Sequence, residues 1–501
     1  MTPSAELLFS LEHWFDHDAP VSPSISYALF DRSGVLFHHG IGEFQFDGRA
    51  PALDTVYRIA SMSKSFEVAA VLALRDRGLL RLDDLVSAHV PQFTDPVDAS
   101  GVPLPVTLHM LMSNCSGLPE DNGWADHELG LSRADFLAVI AAGLRFADLP
   151  GVGYQYSNIG FWLLGVVVEN VSGQNFAEFA TASLLDPLGL SATRYDIAHY
   201  PEHGVGAGIA QGFGTFDDGT TWFDRPVVGT GIGGCAASLF STVSDIARWS
   251  GWLSSAFDPD NSDDTVLSRA SRRLMQRVHT FHPSSTDHPA ERTLEGSGYG
   301  LGLAIDHDVR FGAIAQHSGG LPGWSSNMRW HLASGLGVVV FANTNGVRPG
   351  IAAAAMLRAA LADQDAPARE TVLLPSTVAA AVAIDAAIVG AGDVTAIDAQ
   401  LSPNLLSDVP AEERATRLVK ALAEVGGLAD ARSIPPLADR LAWCVSAAQL
   451  TFTIPGREGE LECRFEMTPT QPALVQRLDI EKRPAVTALS PTVRHYRPLI
   501  A

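Results

Sequence analysis

The sequence predicts an α+β fold: one antiparallel sheet flanked by helices, followed by a small C-terminal α+β domain. Three observations point there. Strand-like alternation occurs near residue 30 and again between 298 and 345, apolar helical runs fill the stretch between, and a helix-and-hairpin pattern follows a break near 364–376. Strands at both ends with helices inserted between them read as a single sheet packed by helices.

Taken in order, "SISYALFD" and "VLFHHGIGEF" alternate as strands around the turn "RSG". A helix is predicted from about Ser61 to Arg77, with Phe66, Val68, Ala69, Leu72 and Ala73 near helical spacing and Gly78 as its stop. "SNIGFWLLGVVVENVSG" and "STVSDIARWSGWLSSA" read as further helices. From 298 the period changes, and "GYGLGLAID", "AIAQHSGG", "SSNMRWHL" and "GLGVVVFANTN" read as short strands with Gly-rich turns, closed by the helix "GIAAAAMLRAALAD". The charged, aperiodic "QDAPARETVLLPS" (364–376) reads as a linker, dividing a domain of residues 1–365 from one of residues 366–501. The second domain is predicted to hold helices near 376–390 and 410–425 and a hairpin, "QLTFTI" and "ELECRFEM", turning at "PGREG". It carries no cluster of chemically useful residues, so a packing, capping or dimer role is expected.

With 501 residues, 46% of them hydrophobic and 18% charged, the chain is a folded protein too long for one ordinary core. A formal net charge of −22 argues against nucleic acid or an anionic membrane as partner, and leaves a neutral or cationic small molecule or short peptide compatible as substrate. No uncharged apolar stretch reaches membrane-spanning length; the nearest, 371–384, contains Pro375 and stops at Asp385. The opening residues lack a basic region, and Glu6 and Glu12 interrupt their apolar character, so no secretory signal is read. Four cysteines, 115, 235, 444 and 463, lack metal or disulfide spacing and read as small buried hydrophobes. A reduced, cytoplasmic setting is the expectation.

Chemistry first shows in "RIASMSKSFEVAA" (58–70). Among 34 basic residues, lysine occurs only at 64, 420 and 482. Guanidinium stays protonated, whereas burial can tune an ammonium until it exchanges a proton near neutrality, so a position that keeps lysine here points to proton chemistry. A serine three places upstream also arises by chance, and the pair alone decides nothing. In "YQYSNIG" (154–160), Tyr156 and Asn158 would face one side of an extended segment and Ser157 the other; Asn158 could equally be the N-cap of the helix that follows. In "QHSGG" (316–320), His317 on a strand precedes glycines that let a substrate approach the backbone; read alone, it is a structural histidine.

Together with "HMLMSNCSGLP", "GGCAASLFSTVSDIARW" and "HSGGLPGWSSNMRW", these motifs resemble the serine hydrolases of the β-lactamase and penicillin-binding-protein superfamily. The likeness is to the class C-like branch of D-Ala-D-Ala carboxypeptidases, D-aminopeptidases and β-lactamase-fold esterases, over about residues 20–362. The resemblance implies a β-lactamase/transpeptidase-like sheet flanked by helices and an acyl-enzyme mechanism without metal or cofactor. It implies Ser61 as nucleophile, Lys64 as the group that takes or orients its proton, and Tyr156 as second proton carrier. Asn158, His317, Ser318 and Gly319 would contact substrate, Asn158 holding the acyl-side amide, and the backbone N–H groups of Ser61 and Gly320 would form an oxyanion hole. Where typical β-lactamases carry lysine, threonine and glycine, this chain has His317, which is largely neutral near pH 7. Weaker capture of a carboxylate follows, with more scope for amides, peptides or esters, although an arginine elsewhere could bind a carboxylate.

The leading expectation is therefore hydrolysis of small peptides or amides containing D-residues. A carboxylesterase, an acyltransferase or peptide cyclase, and a non-catalytic binding module are the alternatives; a homo-oligomer is compatible with any of them. "GTGIGG" (229–234) lacks the strand, turn and helix context of a dinucleotide site and reads as a Gly-rich wall or loop. His13 and His17 have no third metal ligand in view. The chain has no Gly-x-Ser-x-Gly elbow.

Overall fold

The computed structural model describes residues 2–16, 20–201, 208–282, 294–345, 347–364, 366, 370–484 and 495–500. The chain divides into two units, Met1–Ala366 and Pro367–Ala501. The first is built on eight strands: β1 (Ser24–Asp31), β2 (Gly34–Gly42), β3 (Thr280–His282), β4 (Leu294–Tyr299), β5 (Ala304–Asp308), β6 (Gly312–Leu321), β7 (Trp324–His331) and β8 (Gly337–Ala342). They form one antiparallel sheet in the order β2-β1-β8-β7-β6-β5-β4-β3. The N-terminal hairpin closes against the last strand, with Ile25 opposite Ala342 and Phe30 opposite Gly337.

Side-chain alternation sends the two faces of this sheet to different cores. Ile25, Tyr27 and Leu29 of β1 and Val338 and Val340 of β8 pack with Leu7 and Leu11 of the Ala5–Glu12 helix and Met356 and Leu357 of the Pro349–Asp363 helix. Ala28, Phe30, Val339 and Phe341 turn the other way, into a larger helical core. β1 is buried on both faces, and its central run, residues 27–30, is apolar on both, with Ser24, Ser26 and Asp31 buried as well.

At the centre of the larger core lies the helix Ser63–Asp76, whose residues from Ser63 to Leu74 are all buried. Phe66 stacks on Trp249 with ring centroids 3.9 Å apart, and the Trp249 indole N–H donates to Ser65 Oγ at 3.0 Å. The helix Asn158–Ser172 packs in the same core. Its N-cap is Ser157, whose Oγ accepts from Gly160 N at 3.2 Å. The Asp121 carboxylate accepts from the next two N–H groups, Asn158 at 2.7 Å and Ile159 at 2.8 Å. Gly173, in the left-handed conformation, ends it. Asn158 is thus the first helical residue rather than the cap.

In the second unit, strands Leu441–Trp443, Gln449–Gly456, Gly459–Met467 and Val475–Lys482 form an antiparallel sheet in that order. Its core includes Ala380 and Ile384 of the Pro375–Ala386 helix and Leu418 and Ala421 of the Ala411–Glu424 helix. The segment read as an aperiodic linker contains a short strand, Glu370–Val372, paired in parallel with Arg497–Leu499. All four cysteines are buried and free. Among the described residues no helix is long and apolar enough to cross a membrane.

Phe66→Ala removes one side of the Phe66–Trp249 stack from a fully buried core. It is expected to destabilise the first unit by about 3–5 kcal/mol, read as a lowered denaturation midpoint in the tryptophan fluorescence of that unit.

Candidate active site

The buried helix begins one turn late. Residues Ala60–Met62 form a 3₁₀ turn that carries Ser61, and Ala60 adopts a φ of 50°, a left-handed conformation costly for a residue with a Cβ. Ser61 is only partly buried, whereas Lys64, one turn into the core, has no exposed surface. Lys64 Nζ lies 3.2 Å from Ser61 Oγ and 2.7 Å from Asn158 Oδ1. It also sits over the Tyr156 ring at 5.0 Å and the Phe161 ring at 5.2 Å. Tyr156 shares a hydrogen bond with Ser61.

Burial sets the protonation states. Loss of water pulls the Lys64 ammonium down to about 8, against the pull of Glu67, Asp121 and Asp126. The same burial raises the Glu67 carboxyl, one turn further along the helix, to about 8, with Lys64 opposing. Tyr156 is pushed far above the usual phenol range, again by burial first.

Backbone geometry brings β6 against the serine turn. A Cβ on Gly319 would fall 2.1 Å from the Ile59 carbonyl oxygen and 3.1 Å from Ala60 Cβ, so only glycine permits the approach. Ser326 Oγ on β7 donates to the same carbonyl at 2.8 Å. At Gly320 a Cβ would meet nothing within 4 Å, and its backbone borders the cleft. The cleft encloses about 960 Å³ and is lined by Ser61, Tyr156, His317, Ser318, Gly319 and Gly320 among others. Lys64 and Asn158 stand directly behind this lining. The structure thus brings together all eight residues named from the sequence.

Two of the anticipated contacts differ in geometry. The Asn158 amide is used within the protein: Oδ1 accepts from Lys64, and Nδ2 donates to Asp121 Oδ1 at 2.9 Å and Asn122 Oδ1 at 2.8 Å. Both amide hydrogens are spent, so Asn158 fixes Lys64 and has none left for a substrate carbonyl. His317 Nδ1 lies 2.6 Å from the Ser318 carbonyl oxygen and Nε2 lies 2.9 Å from the Tyr299 hydroxyl. A carbonyl can only accept, so Nδ1 carries the proton and Nε2 accepts from Tyr299. Burial, with Lys64 nearby, lowers His317 to about 3 and keeps the ring neutral.

Sequence reasoning missed Tyr299, Asp121, Asn122, Asp126 and Glu67. Asp121 and Asn122 follow directly on "NCSGLPE", but nothing in their spacing shows that the loop folds back onto Asn158. Glu67 carried a signal, a lone acid inside an apolar helix. The Gly-rich 229–234 stretch is loop as far as Gly233, with Gly234 opening the short helix Gly234–Ala237, and it borders a second cavity of about 320 Å³ with Tyr195 and Cys235 rather than the Ser61 cleft. Of the histidine pair, His17 lies outside the described residues and His13 stacks on Phe9. No group of three or more metal-ligating side chains occurs among the described residues.

An antiparallel sheet backed by helices, with a serine and a buried lysine one turn apart beside a glycine-bearing strand, defines a β-lactamase-fold hydrolase. A profile of the Beta-lactamase family matches residues 16–363, and the chain belongs to that family. Penicillin-binding protein 4* of Bacillus subtilis (strain 168) is 28% identical over 308 residues, 59% of this chain and 62% of that protein. Protein flp of Staphylococcus aureus (strain NCTC 8325 / PS 47) is 26% identical over 329 residues, 64% of this chain and 60% of that one. The chain therefore spans about three fifths of the length of these curated relatives. The octameric penicillin-binding protein homologue from Pyrococcus abyssi superposes with a TM-score of 0.56 at 19% identity, over 92% of this chain and 96% of that chain.

If Lys64 must be an amine to accept the Ser61 proton, protonation below its folded pKa removes the active form. kcat/KM is expected to rise with pH through about 8, the value burial gives Lys64. His317→Gln should leave that limb in place, because His317 is neutral throughout the range; a limb that moves with His317 would assign the titration to the wrong group.

Proposed function

We propose that this protein is a serine hydrolase that forms an acyl-enzyme at Ser61 with small amides or peptides, D-residue substrates foremost. The observation that carries the reading is Lys64: fully buried, 3.2 Å from Ser61 Oγ, and lowered by burial to about 8. Such an amine can take the serine proton near neutral pH, which an exposed lysine near 10.4 cannot do efficiently.

In acylation, the Ser61 hydroxyl proton passes to Lys64 Nζ while Oγ bonds to the substrate carbonyl carbon. The carbonyl oxygen takes the negative charge between the N–H groups of Ser61 and Gly320, donors each worth about 3 kcal/mol in such holes. Tyr156, hydrogen-bonded to Ser61, passes a proton to the leaving nitrogen and is resupplied from Lys64. Water then repeats the sequence on the ester, returning Ser61. Because burial keeps Tyr156 a phenol, it suits protonation of an amine leaving group, a step that phenolate leaving groups do not need. That favours amides over esters. With His317 neutral, the described residues place no cation on the sheet-side wall next to Tyr156; Arg348 is the one arginine among the described residues lining the cleft and the candidate for a substrate carboxylate.

Ser61→Ala is expected to abolish turnover and the fluorophosphonate adduct seen by intact-protein mass spectrometry; wild-type-like turnover in that variant would remove the mechanism. Tyr156→Phe is expected to slow a D-alanine p-nitroanilide by about a hundredfold or more and a p-nitrophenyl ester distinctly less, measured as kcat under saturation. Equal losses on the two substrates would count against leaving-group protonation by Tyr156.

A further inference from the structure

Asp126 is the one carboxylate among the described residues that line the Ser61 cleft. It lies on the short helix Asn122–Glu128, four residues after Asn122, so both side chains project from one face about one turn apart. Asn122 Oδ1 receives Asn158 Nδ2 at 2.8 Å, and Asn158 holds Lys64 at 2.7 Å. Asp126 therefore stands one helical turn beyond the group that positions the catalytic amine, on the helical wall of the cleft. The same cleft is lined by β6 and by the start of the Pro349–Asp363 helix, where Gly350 sits against Ser318 Oγ, and by Arg348.

The Asp126 carboxyl has no hydrogen bond and no close ion pair with a described residue. The charges that act on it do so through space: Lys64 and His127 attract it, Asp121 and Glu120 repel it, and Arg58 and Tyr156 lie within its field. Burial raises it to about 6, so it is a carboxylate at neutral pH, partly stripped of water. When Lys64 is the free amine and His317 is neutral, His127 and Arg58 act on that charge through space, and no described residue pairs with it at ion-pair distance. An ammonium group would.

We propose that the acyl half of the substrate carries a protonated amine and that Asp126 binds it. The inference rests on Ser61 being the acylated residue. It assigns charge to two places in the cleft lining: an ammonium at Asp126, and any carboxylate near Arg348. A substrate whose amine is acylated brings no charge to the helical wall and leaves the Asp126 carboxylate unpaired and desolvated, so it binds more weakly.

The test uses alkylboronic acids bearing an amine one, two or three carbons from boron, each compared with its N-acetyl form. Boron adds reversibly to a serine Oγ and has no leaving group, so inhibition reports the acyl half alone. The ratio of inhibition constants cancels any effect of Asp126 on Lys64, which both forms feel equally. Wild type is expected to bind the free-amine form at least about tenfold more tightly at one chain length, with the ratio falling to near one in Asp126→Asn and persisting in Asp126→Glu. A ratio near one at every length in wild type, or a preference that survives Asp126→Asn, overturns the proposal. Fluorophosphonate labelling of the same samples separates the two levels. If Ser61 labels but no amine preference exists, only the amine inference falls; if Ser61 does not label, the acyl-enzyme reading falls and takes this one with it.

Discussion

The desolvation of one ammonium group governs this site. Lys64 occupies the first turn of a helix whose residues are buried as far as Leu74, and water cannot reach it. In that setting the charged form is the costly one, and the neutral amine becomes accessible near neutrality. The rest of the constellation supports that state. The Asn158 carbonyl gives Nζ a fixed partner at 2.7 Å, and the Glu67 carboxyl is itself held as the acid by burial. An ionised Glu67 would have restored the lysine charge; a protonated one does not.

Around that group the fold trades local cost for position. Ala60 takes a left-handed φ, which turns Ser61 out of the core and toward the cleft. Gly319 gives up its side chain so that β6 can pass against the Ile59 carbonyl. Asp121 joins two parts of the site, capping the Asn158–Ser172 helix through two backbone N–H groups while taking one Asn158 side-chain hydrogen. The same carboxylate thus fixes where the helix starts and how the lysine's partner is oriented.

Much of the fold was legible because its periodicities are strong. The two faces of β1 and β8, the apolar helices and the C-terminal hairpin all follow from side-chain alternation or helical spacing. Ser61, Lys64 and Tyr156 stood out because lysine is scarce and because their motifs occur in a familiar order. Four things were not legible. The strand Val475–Lys482 carries charges along its length, "VQRLDIEK", and so lacks an apolar run; Glu370–Val372 is three residues paired to the distant C-terminal end. The saturation of Asn158 depends on a loop that returns 36 and 37 residues away in sequence, a contact no local pattern encodes. Likewise His317 looked like a substrate contact from its motif, whereas Tyr299 and the Ser318 carbonyl occupy its two ring nitrogens.

The scarcity of lysine also makes the central claim directly measurable. Incorporating ¹³C,¹⁵N-lysine labels three positions, 64, 420 and 482, and Lys64→Met assigns the signal of interest. Followed by NMR across pH 6 to 11, the Lys64 side chain is predicted to titrate near 8, well below the ordinary lysine value of about 10.4. A Lys64 titration near that ordinary value would contradict the account, because Lys64 would then be a charged group at neutral pH, unable to take the Ser61 proton.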